Sequence, residues 1–250
     1  MCVSAAASFA AGSVLAVAGV ATVRRALRYD RSMLVFSLFP AIFALHQFIE
    51  GAVWLSVDGV IDENLSRYLY IAIAFLLWPV LTPFAAAFAE KDARWRIARY
   101  FLFALGLMLG GYHAIKLARA SGIDVKDIGH SLSYVIGYDT KPPAIMKYAY
   151  AALTIIPLVT LRNRAINLMG ALVGFSFLYS YVEMKAVWFS VWCLEAAIAS
   201  LLVFFSIRPA KSSTANMRLQ KKVYETSSAG RHKRAPQPRT EPRSIKELPG

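Results

Sequence analysis

Residues 33–56 read MLVFSLFPAIFALHQFIEGAVWLS, an almost unbroken apolar run from Met33 to Ser56 in which His46 and Glu50 are the ionisable side chains. A spanning helix needs about 20 mostly apolar residues, because the hydrocarbon core is about 30 Å thick and each residue rises about 1.5 Å. This run is long enough. It therefore reads as a transmembrane helix, and as one that carries a His and a Glu into the bilayer.

Six further segments follow the same pattern: Val3–Val23, Tyr68–Phe88, Ile97–Ile115, Ala144–Leu161, Ile166–Val182 and Ala186–Ile207. The fifth and sixth spans are separated by Arg162, Asn163 and Arg164, which fits a tight hairpin between helices. The whole chain is 57% hydrophobic and 17% charged, with mean hydropathy +0.47. A soluble domain carries roughly 25% charged residues. The expected fold is all-α, an integral membrane bundle of about seven transmembrane helices over residues 1–207. Residues 208–250 read as a disordered basic cytoplasmic tail, rich in Ser, Pro, Lys and Arg.

Orientation follows from the positive charges. Arg24 and Arg25 follow the first span instead of preceding it, which argues against a secretory signal peptide and holds that end in the cytoplasm. With the N-terminus outside, the cytoplasmic side collects Arg24, Arg25, Arg28, Arg31, Lys91, Arg94, Arg96, Arg99, Arg162 and Arg164, plus 11 Lys and Arg of the tail. The outer side has Arg67, Lys116, Arg119, Lys126, Lys141, Lys147 and Lys185. The positive-inside rule favours that assignment and a cell (cytoplasmic or inner) membrane. The net charge of +13 sits largely in the tail, where it would meet anionic lipid headgroups. No nucleic-acid fold or aromatic-basic interleaving accompanies it, so nucleic acid is not an expected partner. Nothing in the sequence sets an oligomeric state.

Ionisable groups inside a span cost a few kcal/mol each and mark functional candidates. At about 100° per residue, His46, Glu50, Trp54 and Gln47 fall at about 0°, 40°, 80° and 100°, one polar stripe on an apolar helix. Gly51 beside it would admit a neighbouring helix. Glu50 lies roughly 9 Å and His46 roughly 15 Å from the Ser56 end. A His and a Glu four apart can share a metal ion or haem, pass a proton, or hydrogen-bond as structural glue. Glu195, on the seventh span with Trp188 and Trp192, lies at a similar depth and is a second candidate; Cys193 points about 200° away from it. His113 and Cys2 belong to the same outer half and complete a candidate ligand set of His46, Glu50, Cys2, His113 and Cys193. A Cys2–Cys193 disulfide would require the N-terminus to tuck into the bundle, since Cys193 is roughly 10 Å deep.

Two further features bear on a cavity. Trp78-Pro79 and Thr82-Pro83 should bend or loosen the third span. The long outer segment from Lys116 to Pro143, with Tyr134 and Tyr138, reads either as a lid over an outward cavity or as a connector at headgroup level.

The opening Met-Cys-Val-Ser-Ala-Ala-Ala-Ser-Phe, with His46-Gln47-Phe48-Ile49-Glu50-Gly51, Trp54 and Val191-Trp192-Cys193, resembles an uncharacterised family of bacterial multi-pass membrane proteins. Its members typically begin Met-Cys-Phe-Ser-Ala; Val3 replaces the Phe here. The resemblance covers residues 1 to about 207 and implies that Cys2, His46, Glu50, Trp54 and Cys193 are family features. It implies no activity.

Three functions stay open: a metal-, haem- or proton-handling site on His46 and Glu50, a receptor-like or transport protein with a small ligand in an outward cavity, and a scaffold acting through its basic tail. The seventh span has no lysine for a retinal Schiff base. There is no phosphate-binding Gly-Lys-Ser/Thr loop, His-Glu-x-x-His or Gly-x-Ser-x-Gly, so an ATP-driven pump or serine hydrolase is not indicated.

Overall fold

A computed structural model of the protein describes residues 4–61, 64–184 and 186–208. Cys2, Lys185 and the expected disordered tail of residues 209–250 lie outside the described residues.

All seven expected segments are helical: α1 (Ala5–Tyr29), α2 (Arg31–Val57), α3 (Asn64–Ala89), α4 (Ala93–Ala118), α5 (Ile145–Val159), α6 (Arg164–Glu183) and α7 (Trp188–Ser206). Six are long and apolar enough to cross a membrane, and α5 is shorter at 15 residues. Side-chain caps set several starts. Ser4 accepts from the Ala7 amide, Asp92 from Arg94 and Trp95, and Asn163 from Ala165 and Ile166. α2 begins with a 3₁₀ turn, Arg31–Met33, and is jointed at Leu38 just ahead of Pro40.

The surface these helices present is apolar. Val17 of α1, Met108 of α4 and Phe175 of α6 are 74%, 71% and 70% exposed. Water would penalise so continuous an apolar surface, whereas lipid chains match it. The chain is a multi-pass membrane protein.

The prolines do not break α3. The helix widens into a π-helical segment, Ala72–Leu77, directly before Trp78-Pro79. Pro79 brings no N–H to the ladder, and the wider turn shifts its register, so neighbouring carbonyls turn to side chains. The Tyr150 hydroxyl donates to the Ala74 oxygen at 2.6 Å, and His46 Nε2 lies 3.3 Å from the Tyr70 oxygen. The expected loosening is thus a local widening, in which Ala74 accepts from α5, while Tyr70 just before it faces α2.

Close helix contacts depend on glycine. A Cβ on Gly106 of α4 would strike the Pro79 carbonyl oxygen. The approach expected at Gly51 is made by α1, whose Phe9 ring lies 2.7 Å from where a Cβ would stand.

One element was not expected of an all-α chain. Between α4 and α5, β1 (Ile123–Asp127) pairs antiparallel with β2 (Leu132–Ile136), Ile123 opposite Ile136. Gly129 and His130, with φ of 59° and 60°, turn the hairpin. Its contacts run down into the bundle. Ser133 Oγ donates to the Ala186 oxygen, Arg67 reaches the Ile123 oxygen, and the Tyr134 ring stacks on Tyr70.

At the opposite end, Arg25 Nε donates to the Ile207 oxygen at 2.6 Å and its guanidinium lies 4.6 Å from the Phe204 ring centre. Arg99 is buried and donates to Glu90, to the Pro157 oxygen and to both oxygens of Thr160. Burial pushes the Glu90 carboxyl up, but the Asp92 and Lys91 amides and the Arg99 guanidinium outweigh it and hold Glu90 below its ordinary range. Two arginines expected only to set orientation therefore also fasten helix ends. The bundle has an arginine end and a hairpin end.

Candidate functional site

The stripe of α2 is buried as a unit: His46, Gln47 and Glu50 are 0% exposed and Trp54 is 3%. The joint at Leu38 and the close contact at Gly51 seat this face between α1, α3 and α7. Gln47 Nε2 donates to Glu50 Oε2 at 3.0 Å, and Ser190 Oγ of α7 donates to Glu50 Oε1 at 2.7 Å. Each carboxyl oxygen thus holds a donor, which is how a buried carboxyl is tolerated.

His46 belongs to a second arrangement, a column of rings. Its imidazole stacks on Tyr70 at 4.2 Å, and Tyr70 stacks on Tyr134 of the hairpin at 4.4 Å with planes 4° apart. The contact of Nε2 with the Tyr70 oxygen makes Nε2 the donating nitrogen. Nδ1 then carries a lone pair and is buried without a partner among the described residues. It is an acceptor held in place.

The other candidates divide. Cys193 is a buried thiol, unpaired among the described residues, close to the Tyr70 hydroxyl and the Glu50 carboxyl, so α7 brings it to the stripe. Glu195, on the opposite side of α7, accepts from Ser176 Oγ at 2.6 Å and Ser180 Oγ at 3.2 Å and borders an apolar surface groove between α6 and α7. It takes no part in the His46 group. The Trp54 indole N–H is buried without a partner among the described residues. Cys2, and with it the Cys2–Cys193 pairing, lies outside the described residues.

His113 lines a pocket of about 200 Å³ beneath the hairpin. Phe75, Tyr134, Tyr138, Tyr150 and Trp188 give it aromatic walls, and Pro142, Pro143, Met146 and Lys147 complete the side next to α5. His113 is 6% exposed, and its Nδ1 is buried without a partner among the described residues. Burial, with the neighbouring Tyr112, pushes the Tyr138 phenol up to about 12, so Tyr138 keeps its proton and can donate. Tyr134 belongs to both arrangements, as a wall of this pocket and as the end of the ring column that leads to His46. Deeper in the core, a small apolar cavity of about 40 Å³ lies between Phe39, Phe43, Trp78, Tyr150 and Trp192. It has room for a few waters.

No group of three or more His, Cys, Asp or Glu side chains positioned to hold a metal ion occurs among the described residues. The geometry at Glu50 is that of a hydrogen-bond acceptor with its donors in place.

Sequence reasoning missed Tyr70, Ser190 and the role of Tyr134. Tyr70 is one aromatic in an apolar run, and Ser190 is one of several serines in the spans. Neither signals its partner. Tyr134 does carry a signal, since Ile123-Asp-Val-Lys-Asp and Leu132-Ser-Tyr-Val-Ile flank a Gly129-His130 turn.

No curated protein matches the chain, and no solved structure does. A family model does match, over residues 1–218, and its description is a family of unknown function, DUF6629. That stretch contains every described residue of the stripe, the ring column and the pocket, so the chain belongs to the DUF6629 family.

Proposed function

We propose that this chain is a receptor-like membrane protein of seven spans that takes a small molecule into the pocket beneath the hairpin. The observation that carries the reading is Tyr134. It is a wall of the pocket and also the last ring of the column that ends on His46. An occupant that moves Tyr134 moves Tyr70, and Tyr70 bears on His46 and lies next to Cys193. His46 and the Gln47–Glu50–Ser190 group are then the buried element whose arrangement reports occupancy.

In this reading the hairpin end is outside and the arginine end is cytoplasmic. Arg24, Arg25, Arg28, Arg31, Arg94, Arg96, Arg162 and Arg164 support that orientation, as the positive-inside rule requires. α5, the short fifth helix, completes the seven spans. Its 15 helical residues rise about 22 Å. Its first turn borders the pocket through Met146 and Lys147, while Arg99 holds its last turn through Pro157 and Thr160. The basic tail beyond Arg208 would meet anionic headgroups of the cytoplasmic leaflet.

The test is a stability screen of the purified protein in nanodiscs against small cyclic compounds, beside a Met146→Trp variant that fills the pocket. A ligand at 100 times its Kd stabilises by about 2.7 kcal/mol. Compounds that stabilise the wild type and not Met146→Trp are expected. A broad panel in which every effect survives Met146→Trp would refute the reading.

A second reading keeps the proton-relay role of His46 and Glu50, favoured by a His46 Nδ1 that has no partner among the described residues. It predicts that His46→Gln abolishes function while leaving ligand stabilisation intact.

A further inference from the structure

This inference rests on the ligand pocket proposed above and names what the pocket selects. We propose that the pocket beneath the hairpin takes small anions with a flat apolar body, a ring bearing a carboxylate, in preference to neutral or cationic rings of the same size.

The first ground is the pocket's charge. Its lining contains no carboxylate, and its charged side chain is Lys147. Lys147 makes no ion pair among the described residues; its ammonium lies 5.7 Å from the Tyr181 ring centre. Two acids of the segment between α4 and α5 are engaged elsewhere. Asp139 pairs with Lys116 at 2.8 Å, and Asp124 lies 3.2 Å from Lys126. From Lys116 to Lys147 the described chain carries Lys116, Arg119, Lys126, Lys141 and Lys147 against Asp124, Asp127 and Asp139. A cation entering the pocket would meet Lys147 with no counter-charge on the walls.

The second ground is hydrogen-bonding polarity. Lys147 is a donor without acceptor capacity, and the Tyr138 phenol keeps its proton. His113 Nδ1 is a buried polar atom on the pocket wall without a partner among the described residues, and it can donate in the appropriate tautomer. These groups suit an acceptor, and an anionic acceptor best.

The third ground is shape. Phe75 and Trp188 offer flat aromatic surface, and about 200 Å³ suits a single substituted ring. Aromatic walls alone attract cations as well, so Lys147 decides the sign.

The experiment uses three probes of one skeleton: benzoate, benzyl alcohol and benzylamine. Their binding to the full-length protein in zwitterionic nanodiscs is measured by equilibrium dialysis, with empty discs subtracted. Benzoate is expected to bind at least about tenfold tighter than the other two. Lys147→Met, at an exposed position, should weaken benzoate about 10- to 100-fold, the range for a hydrogen bond to a charged group, without changing the melting temperature. Met146→Trp should abolish it.

Equal or tighter binding of the alcohol or amine, blocked by Met146→Trp, would overturn the charge preference and leave the ligand pocket standing. Benzoate binding unaffected by both substitutions would overturn the assignment of that site. No binding by any of the three would overturn the inference and count against the pocket reading itself.

Discussion

Removing the Arg99 guanidinium should be among the most damaging single changes at the arginine end. The side chain is 3% exposed and makes four contacts. Nε donates to Glu90 Oε2 at 2.9 Å, Nη1 to the Pro157 oxygen and Thr160 Oγ1 at 3.2 Å each, and Nη2 to the Thr160 oxygen at 2.9 Å. Arg99→Met keeps much of the volume and strands those partners. Glu90 Oε1 retains the Lys91 and Asp92 amides, so Oε2 and the last carbonyls of α5 bear the loss. Breaking a buried pair by removing one partner costs about 3–5 kcal/mol. At 2–4 °C per kcal/mol for a chain of this size, the melting temperature should fall by roughly 6–20 °C. Arg99→Lys keeps the charge but cannot span Glu90 and Thr160 together, and should fall between. A Glu90→Gln, Arg99→Met double variant should recover part of the loss, because no uncompensated carboxylate remains.

Buried Cys193 supplies the assay. In a Cys2→Ser background it is the sole thiol, and a thiol-reactive dye reports unfolding when Cys193 becomes exposed. The same assay gives a pH test. The folded Glu90 carboxyl titrates below its ordinary value of 4.5, so its contribution is complete above 4.5 and is lost as pH falls through the lower, folded value. Wild type should lose this increment in acid. Arg99→Met should show less of it, since it lacks the guanidinium that helps depress Glu90. An Arg99→Met variant within about 1 kcal/mol of wild type, or a double variant less stable than Arg99→Met, would refute the reasoning.

Three further substitutions test the remaining elements. Ser190→Ala withdraws the donor from Glu50 Oε1 inside the bundle and should cost about 1.5–3 kcal/mol by the same thiol-exposure assay. Gly106→Ala places a methyl group against the Pro79 carbonyl oxygen, so α4 must shift away from α3; the expected cost is about 1–3 kcal/mol or more, read from the melting temperature. Trp54→Phe removes an indole N–H that has no partner among the described residues, so the expected change is small, within about 1.5 kcal/mol, and a larger loss would reveal a bonded indole.

Much of the bundle was legible because a bilayer imposes a length and a polarity on each helix. The same simplicity made the α2 stripe visible: His46, Gln47 and Glu50 stand out on an apolar helix, and helical geometry alone brings them together. Partners on other helices were not legible. Ser190 and Tyr70 meet the stripe through tertiary packing, and nothing in their local sequence points across the bundle. Glu195 shows the converse. It has the same chemistry as Glu50 and an expected depth similar to it, yet α7 turns it toward Ser176 and Ser180, away from the stripe.

The widened turn of α3 explains why these pieces meet where they do. A regular helix spends its carbonyls on its own amides, so an apolar helix offers its neighbours little to bond. Within Ala72–Leu77, ahead of Pro79, the Ala74 carbonyl receives Tyr150 from α5, and two residues before that segment the Tyr70 carbonyl receives His46 from α2. The carbonyl that orients His46 belongs to Tyr70, whose ring carries the stack on to Tyr134. Tyr150 in turn walls both the hairpin pocket and the core cavity. The π segment therefore positions a wall of the pocket through Ala74, and the helical turn just before it positions the buried histidine and its ring column through Tyr70. Pro79→Ala should test that dependence by restoring an amide to the ladder. If the π segment then reverts to α, Tyr150 loses its acceptor at Ala74, and ligand stabilisation should fall even though no side chain of the pocket has changed. Unaltered ligand stabilisation in a Pro79→Ala protein that has lost the π segment would refute the link.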